Sequence, residues 1–319
     1  MGGFLKHGEW ISGDDEGFAD EDGSFNRTTS EFRDWITPDG SPGPDGQDAV
    51  KAEPGRFHLY VSYACPWAHR TLITRRLKRI EEHMPVSVTH WLMRDRGWTF
   101  DEGPGVVPDP NEGAATIHEL YQISDENVSG KATVPVLWDK KERRIINNES
   151  ADIIRIFNTG FSGLGADDID LTPQAHIEEI DAVNARVYED VNNGVYKAGF
   201  ATSQEAYEEA VEPLFDTLHW LEARLEGEEY LVGGQLTEAD IRLLTTLIRF
   251  DAVYYSHFKC NRKRIADLPN LHRYLLALAG REEIAETIHM DHAKRHYYQS
   301  HVSINPTQIV PVGPDLQFG

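Results

Sequence analysis

The strongest constraint on the fold is the order of strand-like and helix-like segments between residues 57 and 158. Runs rich in β-branched and aromatic residues predict strands at 57–63, 86–91, 133–139 and 143–148. Apolar residues at helical spacing predict helices at 65–80, near 114–123 and at 149–158. The resulting order, β-α-β-α-β-β-α, predicts an α/β domain.

A proline at the start of the third strand further restricts the folds that this segment can adopt. Pro135 lies in the segment Thr133-Val-Pro-Val-Leu-Trp-Asp139, and a central strand excludes proline because the ring removes a backbone donor. A cis Val134–Pro135 bond would explain it by forming a turn that leaves a backbone edge open. With Cys65 opening the first helix, this order is the thioredoxin-like pattern; an unrelated α/β unit is the alternative.

The apolar pattern becomes helical from about residue 170 onward. Helices are predicted over 175–200, 203–227, 239–254 and 268–280. We expect Pro213 to kink the second of these, and Gly280 to stop the last. Thr237 and Asp240 have the spacing of a capping box at the start of the third. The second half is therefore predicted to be all-helical.

The two ends of the chain have a different composition. Residues 1–55 are rich in Gly, Asp, Pro and Ser, which predicts an extended arm followed by a loop at 37–56. Scattered aromatic residues would pack this arm on something else: Phe18, Phe25, Phe32 and Trp35. The segment from His296 onward is expected to be turn-rich and extended. The predicted divisions are an arm and loop (1–55), a thioredoxin-like domain (56–160), an all-helical domain (170–300) and a tail (301–319).

The charge balance excludes some classes of partner. Lys and Arg number 31 against 53 Asp and Glu, a net charge of −22, so we expect no binding to nucleic acid or to anionic membranes. No apolar run approaches the ~18 residues that span a bilayer, and the start lacks a signal-peptide core. These features predict a cytoplasmic protein. The dispersed acidic residues suit a halophilic protein; an ordinary acidic bacterial protein is the alternative.

Cys65 occupies the position where the first strand gives way to the first helix. Unpaired backbone N–H groups and the positive end of the helix dipole stabilise a thiolate there, so we expect the pKa of this thiol to lie below its free value of ~8.5. A redox dithiol would place a second cysteine at position 68, which is Ala68. The chemistry indicated is monothiol exchange with an external small thiol; a buried structural cysteine is the alternative.

Two further segments indicate a peptide-like thiol as cofactor. Val134 would offer strand-edge backbone groups to such a molecule. Glu149 and Ser150 open the next helix, where backbone N–H groups can hold a carboxylate and Glu149 can hold an ammonium group. A γ-glutamyl group carries both charges on one carbon, so the pair suits a γ-glutamyl thiol. Simple helix capping is the alternative for Glu149 and Ser150.

These motifs resemble the glutathionyl-hydroquinone reductases, which are the Xi class of glutathione transferases. The matching segments are SYACPWAHRTL (62–72), TVPVLWD (133–139), NNES (147–150), NGVYKAGF (193–200), FDAVY (250–254), HFKCN (257–261) and HYYQSH (296–301) with Asn305-Pro306. The resemblance runs from about residue 4 to the C-terminus. The CPWAHR box together with the HYYQSH segment is more specific than a transferase fold alone.

The resemblance implies an enzyme that reduces glutathionyl-hydroquinones to free hydroquinones through an enzyme–glutathione mixed disulfide. It implies that Cys65 is the nucleophile and that the thiol pocket includes Trp98, Val134, Glu149 and Ser150. It also implies that Tyr196 and Tyr297 act on the hydroquinone, with Tyr254 as a further substrate-binding residue. Neutral tyrosine hydroxyls could donate a proton to the ring and hydrogen-bond its oxygens. A homodimer without a metal is implied as well.

Lys131 departs from the family pattern. The family often has an arginine near this position, and a lysine would replace a bidentate fork by a point charge if the residue held a glutathione carboxylate. With the acidic composition, this favours a haloarchaeal enzyme that uses γ-glutamylcysteine, which lacks the glycine carboxylate. The thiol co-substrate is therefore predicted to be glutathione or γ-glutamylcysteine, and we include Lys131 among the cofactor-binding residues.

Other functions are compatible with the same sequence. A glutaredoxin-like thiol transferase or dehydroascorbate reductase would also use Cys65. A non-catalytic transferase-like binding module, or an ordinary conjugating transferase, would not need its thiol. His289, His292 and His296 could share a helix face and hold a metal, although packing histidines are expected. We also expect packing or capping roles for His69 and no catalytic role for Cys260.

Overall fold

The computed structural model describes residues 2–13, 30–316 and 318. The described residues form two compact units, one ending at Ile169 and the other starting at Asp170. Phe18 and Phe25, predicted to anchor the arm, lie outside the described residues. Among those that are described, no helix is long and apolar enough to cross a membrane.

The first unit combines short strands with three helices. Its strands are β1 (Gly3–Lys6), β2 (Glu9–Ser12), β3 (Trp35–Thr37), β4 (Ala49–Lys51), β5 (Phe57–Val61), β6 (Val86–Val88), β7 (Val136–Asp139) and β8 (Arg144–Asn147). Its helices are α1 (Pro66–Leu77), α2 (Ile117–Ser124) and α3 (Ser150–Thr159). The sheet that carries the site has the strand order β6-β5-β7-β8.

The register of this four-stranded sheet explains the hydrophobic runs. Strand β5 pairs in parallel with β6 and antiparallel with β7, and β7 pairs antiparallel with β8. Every residue of β5 is buried, as expected for a central strand covered on both faces. The predicted thioredoxin-like order is confirmed.

Several predicted element ends differ from the structure by a few residues. Two of these differences have a local reason. Helix α1 ends at Leu77 rather than at residue 80, because Arg79 has a positive φ of 52°. Pro135 lies just before β7 rather than inside it, and the Val134–Pro135 bond is cis. Because Pro135 lies outside the strand, its missing N–H removes no hydrogen bond from the sheet.

The described part of the predicted arm and loop contains regular structure that the sequence analysis missed. Strands β1 and β2 form an antiparallel hairpin, and β3 pairs in parallel with β4. The hairpin is fixed to a loop of its own unit, since Leu5 and Gly130 exchange backbone hydrogen bonds of 2.8 Å. Trp35 is buried in the core, in agreement with its predicted packing role.

The second unit is helical, as predicted. Its helices are α4 (Ile177–Val187), α5 (Gly194–Phe200), α6 (Gln204–Arg224), α7 (Glu238–Arg249), α8 (Pro269–Ala279), α9 (Glu282–Ala285) and α10 (Met290–Ser300). Pro213 lies inside α6, and Gly280 caps α8. The capping box of α7 is present, with the Asp240 carboxylate accepting from the Thr237 backbone N–H at 2.8 Å.

Two predictions for this unit were wrong. The single helix expected over 175–200 is divided by a π-helical turn at Tyr188–Asn192. In that turn Asn192 donates from its side chain to the Arg242 carbonyl and the Thr246 hydroxyl of α7, so a tertiary contact overrides the helical period. The segment 296–300, expected to be extended, belongs to α10 because its buried aromatic residues pack as one helix face.

A buried ion pair closes the turn between β7 and β8. Arg56 donates from Nε to both carboxylate oxygens of Asp139 at 3.0 Å, and the Asp139 side chain is fully buried. Burial opposes ionisation of Asp139, but hydrogen bonds from Arg56 and from the Lys141 and Glu142 backbone outweigh it and lower the pKa of the carboxyl. The ionised pair is therefore part of the folded structure.

We expect Asp139→Asn to lower the free energy of unfolding at pH 7 by about 3 kcal/mol, since it removes the fully buried counter-charge of the Arg56 guanidinium and leaves the partly exposed carboxylates of Glu53 and Glu142. The lowered pKa means that this contribution is complete above the unfolded value of ~3.9 and is lost as pH falls through the folded pKa. Urea unfolding at pH 7 and at lower pH measures both effects. The control is Glu53→Gln, whose partly exposed carboxylate also contacts Arg56 and whose loss should lower stability far less, because solvent screens the pair. Equal losses of unfolding free energy in the two variants would contradict the conclusion that the buried Asp139 carboxylate is the main partner of Arg56.

Candidate active site

Cys65 is the N-cap residue of α1, with extended backbone angles of −75° and 121°. Pro66 occupies the first helical turn, where its missing N–H costs nothing. The Cys65 thiol is half-buried, forms no disulfide, and lies 3.6 Å from the Val134 carbonyl oxygen. The structure therefore brings together the predicted nucleophile and the backbone group predicted to bind the thiol.

Glu149 and Ser150 lie at the start of α3 in the same unit. Glu149 caps the helix, because its Oε1 accepts from the Ala151 N–H at 3.1 Å. Its Oε2 accepts from the Ser30 hydroxyl at 3.1 Å. The predicted capping geometry is thus present. The role of Glu149 in binding an ammonium group stays a prediction.

A buried arginine joins α1 to the start of α3. Arg70 donates from Nη1 to the Ser150 hydroxyl at 3.4 Å, and its guanidinium lies 4.4 Å from the centre of the Trp67 ring. The Arg70 side chain is 1% exposed. This places a cation beside Ser150, the residue predicted to help hold a carboxylate, although the sequence analysis assigned Arg70 no role.

Trp98 and Lys131 lie between Arg70 and Val134 in the sequence, and their roles stay predictions. Trp98 is buried in the core of the first unit, and its carbonyl accepts from the Ile117 N–H at 2.9 Å. Lys131 is half-buried and follows Gly130, which the β1–β2 hairpin holds. The hairpin therefore supports the segment that leads through Lys131 to Val134.

The three predicted tyrosines converge in the second unit. Tyr196 comes from α5, Tyr254 from the π-helical turn Phe250–Tyr254, and Tyr297 from α10. The hydroxyl of Tyr297 is 2.5 Å from that of Tyr196 and 3.0 Å from that of Tyr254. We call these residues the tyrosine triad. Tyr254 and Tyr297 are buried, whereas Tyr196 is partly exposed.

The surroundings of the tyrosine triad keep its central member, Tyr297, uncharged. Burial raises the pKa of Tyr297 well above 10, so its phenol is neutral at physiological pH. Burial also lowers the pKa of His257 to about 4 and that of His301 well below its usual value. The two imidazoles are 3.2 Å apart and neutral at pH 7. Neutral hydrogen-bonding groups among aromatic rings suit an aromatic ligand that bears hydroxyl groups.

Phe258 connects the triad to this histidine pair. Its ring stacks on Tyr254 and on His301, with centroids 5.6 and 5.8 Å away. The same ring lies directly on Gly199 of α5, where a Cβ would be 2.2 Å from the Phe258 ring. Only a glycine allows this approach, so Gly199 sets how closely Phe258 packs behind Tyr196.

The other residues singled out in the sequence are a second cysteine, the histidine after Cys65, and three histidines near α10. Cys260 is fully buried, and burial raises the pKa of its thiol far above the usual value. The His69 side chain is buried, and its backbone N–H donates to the Cys65 carbonyl at 3.0 Å. Within the described residues no group of three His, Cys, Asp or Glu side chains could hold a metal, His289, His292 and His296 included.

Comparison with known proteins identifies both units. The family described as glutathione S-transferase, N-terminal domain, matches residues 64–159, and glutathione S-transferase, C-terminal domain, matches residues 204–277. The chain is 55% identical over 293 residues to glutathionyl-hydroquinone reductase PcpF of Sphingobium chlorophenolicum, covering 92% of this chain and 90% of that protein. It is 52% identical over 308 residues to glutathionyl-hydroquinone reductase YqjG of Escherichia coli, covering 93% and 94%.

Comparison with solved structures also identifies the chain as similar to glutathione transferases of the Xi class. The glutathione-bound structure of YqjG from Escherichia coli superposes with a TM-score of 0.88 at 53% identity, covering 90% of this chain and 94% of that one. The Xi-class transferase from Natrialba magadii superposes with a TM-score of 0.90 at 44% identity, covering 99% and 94%. The predicted family resemblance and the two-part fold are confirmed.

Proposed function

The chain belongs to the glutathionyl-hydroquinone reductases, the Xi class of glutathione transferases, and we propose that it cleaves glutathionyl-hydroquinones to free hydroquinones with glutathione as reductant. The observation that carries this proposal is Cys65 at the start of α1, with its thiol on the Val134 carbonyl. A second thiol is absent from position 68, which is alanine. The enzyme therefore needs an external thiol to complete its cycle.

The reaction proceeds in two thiol exchanges. In the first, the Cys65 thiolate attacks the glutathione sulfur of the conjugate. A Cys65–glutathione disulfide forms, the carbon–sulfur bond breaks, and its electron pair passes to the ring carbon, which takes a proton. In the second, the thiolate of another glutathione attacks the glutathione sulfur of the mixed disulfide and releases Cys65. The sum is one conjugate and one glutathione converted to one hydroquinone and one glutathione disulfide.

We assign the hydroquinone-side roles to the tyrosine triad. Tyr196 and Tyr297 are proposed to donate hydrogen bonds to the hydroquinone oxygens and a proton to the ring carbon. Their support is the short contact between the two hydroxyls and the neutral state that burial imposes on Tyr297. Tyr254 reaches the same cluster through Tyr297. Its role in substrate binding stays a prediction.

We assign the glutathione-side roles to residues of the first unit. Val134 is proposed to bind the cysteinyl backbone of glutathione, and Glu149 and Ser150 its γ-glutamyl group. Arg70 supports the second assignment, because it adds positive charge next to Ser150. Trp98 and Lys131 are proposed to complete the pocket. A comparison of glutathione with γ-glutamylcysteine in wild type and in Lys131→Arg tests whether Lys131 selects the thiol.

A turnover assay tests the proposed function. Purified protein is mixed with the glutathione conjugate of menadiol and excess glutathione, and products are separated by chromatography. We expect one glutathione disulfide for each hydroquinone released. Reduction of hydroxyethyl disulfide without release of hydroquinone would instead indicate a glutaredoxin-like thiol transferase. Repeating the assay in molar salt tests the predicted halophilic character.

Assembly is predicted from the family resemblance, and location from the composition of the sequence. We propose that the chain works as a homodimer in the cytoplasm. Light scattering coupled to size-exclusion chromatography tests the first part, with twice the mass of the 36.1 kDa chain as the expected result. A monomer mass at micromolar concentration would contradict it.

A further inference from the structure

Tyr121 is a buried tyrosine for which neither the sequence motifs nor the proposed reaction gives a role. It lies on α2, is 2% exposed, and belongs to the core of the first unit. Its hydroxyl nevertheless makes hydrogen bonds to two segments that are separated by 15 residues in sequence and that both belong to the proposed glutathione pocket. We propose that Tyr121 is a positioning residue that holds these two segments in the geometry that binds glutathione.

The first segment is the one that precedes the cis proline. The Tyr121 hydroxyl donates to the Thr133 carbonyl at 3.1 Å and accepts from the Thr133 N–H at 3.1 Å. Thr133 is exposed and is followed directly by Val134, whose carbonyl touches the Cys65 thiol. Both backbone groups of Thr133 are therefore fixed by one side chain, one residue before the Val134 carbonyl that the Cys65 thiol contacts.

The second segment is the one that opens α3. The side-chain amide of Asn148 donates to the Tyr121 hydroxyl at 2.9 Å. Asn148 directly precedes Glu149 and Ser150. Its backbone is fixed too, since its N–H donates to the Phe32 carbonyl at 3.2 Å, and the Phe32 ring packs edge-on against Tyr121. Displacement of Asn148 would move the start of α3.

The hydrogen-bonding capacity of this hydroxyl is fully used. A tyrosine hydroxyl has one hydrogen to donate and two lone pairs to accept with. Tyr121 donates to the Thr133 carbonyl and accepts from the Thr133 N–H and the Asn148 amide, and the Thr133 hydroxyl, 3.3 Å away, is an alternative partner on the same segment. Phenylalanine would fill the same volume but would leave two donors and one acceptor without this partner. The link between the two segments would be lost while the packing of α2 remained.

This inference rests on the proposed function for the identity of the ligand, and a binding measurement separates the two. Glutathione binding is measured by calorimetry with Cys65→Ser protein, which cannot form the mixed disulfide, with and without Tyr121→Phe. We expect the dissociation constant to rise by about tenfold, the effect of one to two lost hydrogen bonds. In the Cys65 enzyme, Tyr121→Phe should raise the KM for glutathione similarly and change kcat far less.

A matched control is available in the same unit, on strand β5. Tyr60 is also fully buried, and its hydroxyl donates to Asp109 at 2.6 Å and accepts from Asn111 at 2.9 Å, outside the proposed pocket. Tyr60→Phe should lower the melting temperature as Tyr121→Phe does, yet leave glutathione affinity unchanged. Equal weakening of binding by both variants would show a general structural effect and overturn the inference.

A second variant covers the case in which Tyr121→Phe does not fold. Asn148→Ala removes one of the three hydrogen bonds and should weaken glutathione binding by a few-fold. Because the two residues act through one contact, the double variant should bind about as weakly as Tyr121→Phe alone. Unchanged affinity in both single variants would overturn the inference. If wild type releases no hydroquinone, the proposed function fails, while the binding measurement still decides the role of Tyr121.

Discussion

Replacing Cys65 with alanine is expected to lower kcat/KM for hydroquinone release by at least about a thousandfold, to the rate without enzyme. The thiol is the only protein group in the proposed mechanism that forms a bond to the glutathione sulfur, so no other residue can substitute for it. Cys65→Ser should be equally inactive, because a hydroxyl cannot form a disulfide. Steady-state assays of all three proteins with the menadiol conjugate measure this effect.

The second cysteine provides the matched control. Cys260 is buried and its thiol stays protonated because burial raises its pKa. Cys260→Ala should therefore leave kcat/KM unchanged. Substantial hydroquinone release by Cys65→Ser would contradict the mixed-disulfide mechanism. It would favour an ordinary transferase reaction, in which a hydroxyl holds glutathione as its thiolate.

Removing the hydroxyl of Tyr297 is expected to lower the rate of conjugate cleavage by about a hundredfold, the usual size of a general-acid contribution. Tyr297→Phe keeps the ring that packs against Phe258 and removes the central hydroxyl of the tyrosine triad. Tyr196→Phe should have an effect of the same order, since the two hydroxyls form one hydrogen-bonded pair. Single-turnover release of hydroquinone by the two variants gives the measurement.

A second substrate separates this role from a structural one. Reduction of hydroxyethyl disulfide by Cys65 needs no proton transfer to a ring, so both tyrosine variants should retain it. Tyr207→Phe is the control, because the Tyr207 hydroxyl donates to the Lys259 carbonyl at 2.7 Å in the same unit, outside the triad. Equal losses on both substrates would contradict the assignment of the tyrosines to the hydroquinone.

The sequence predicted those elements best for which hydrophobicity and local backbone preferences indicated the same structure. The run at β5 and the Cys-Pro start of α1 were predictable because hydrophobicity and helix-start chemistry indicated the same elements. The π-helical turn after α4 was not, because it depends on a tertiary hydrogen bond from Asn192 to α7. The pairing of Leu5 with Gly130 joins residues far apart in the chain, and strands of three or four residues carry little periodicity.

The sequence indicated the reactive residues of the proposed site. It did not indicate the residues that hold them in position. The helix-start position indicated Cys65, and the family resemblance indicated Tyr196 and Tyr297. Arg70 lies inside the CPWAHR box, but nothing in its spacing showed that it would reach Ser150. Tyr121 gave no signal at all, because its importance comes from three hydrogen bonds made across the fold.

The mixed disulfide on Cys65 is the most direct test of the central claim. Enzyme without free thiol is mixed with an excess of the glutathionyl-menadiol conjugate, quenched with acid, and analysed by intact mass and peptide mapping. We predict one glutathionyl group per chain, located on Cys65, together with one equivalent of free menadiol. Release of menadiol with no glutathionyl group on Cys65, or a covalent adduct of the hydroquinone itself, would contradict the proposed mechanism.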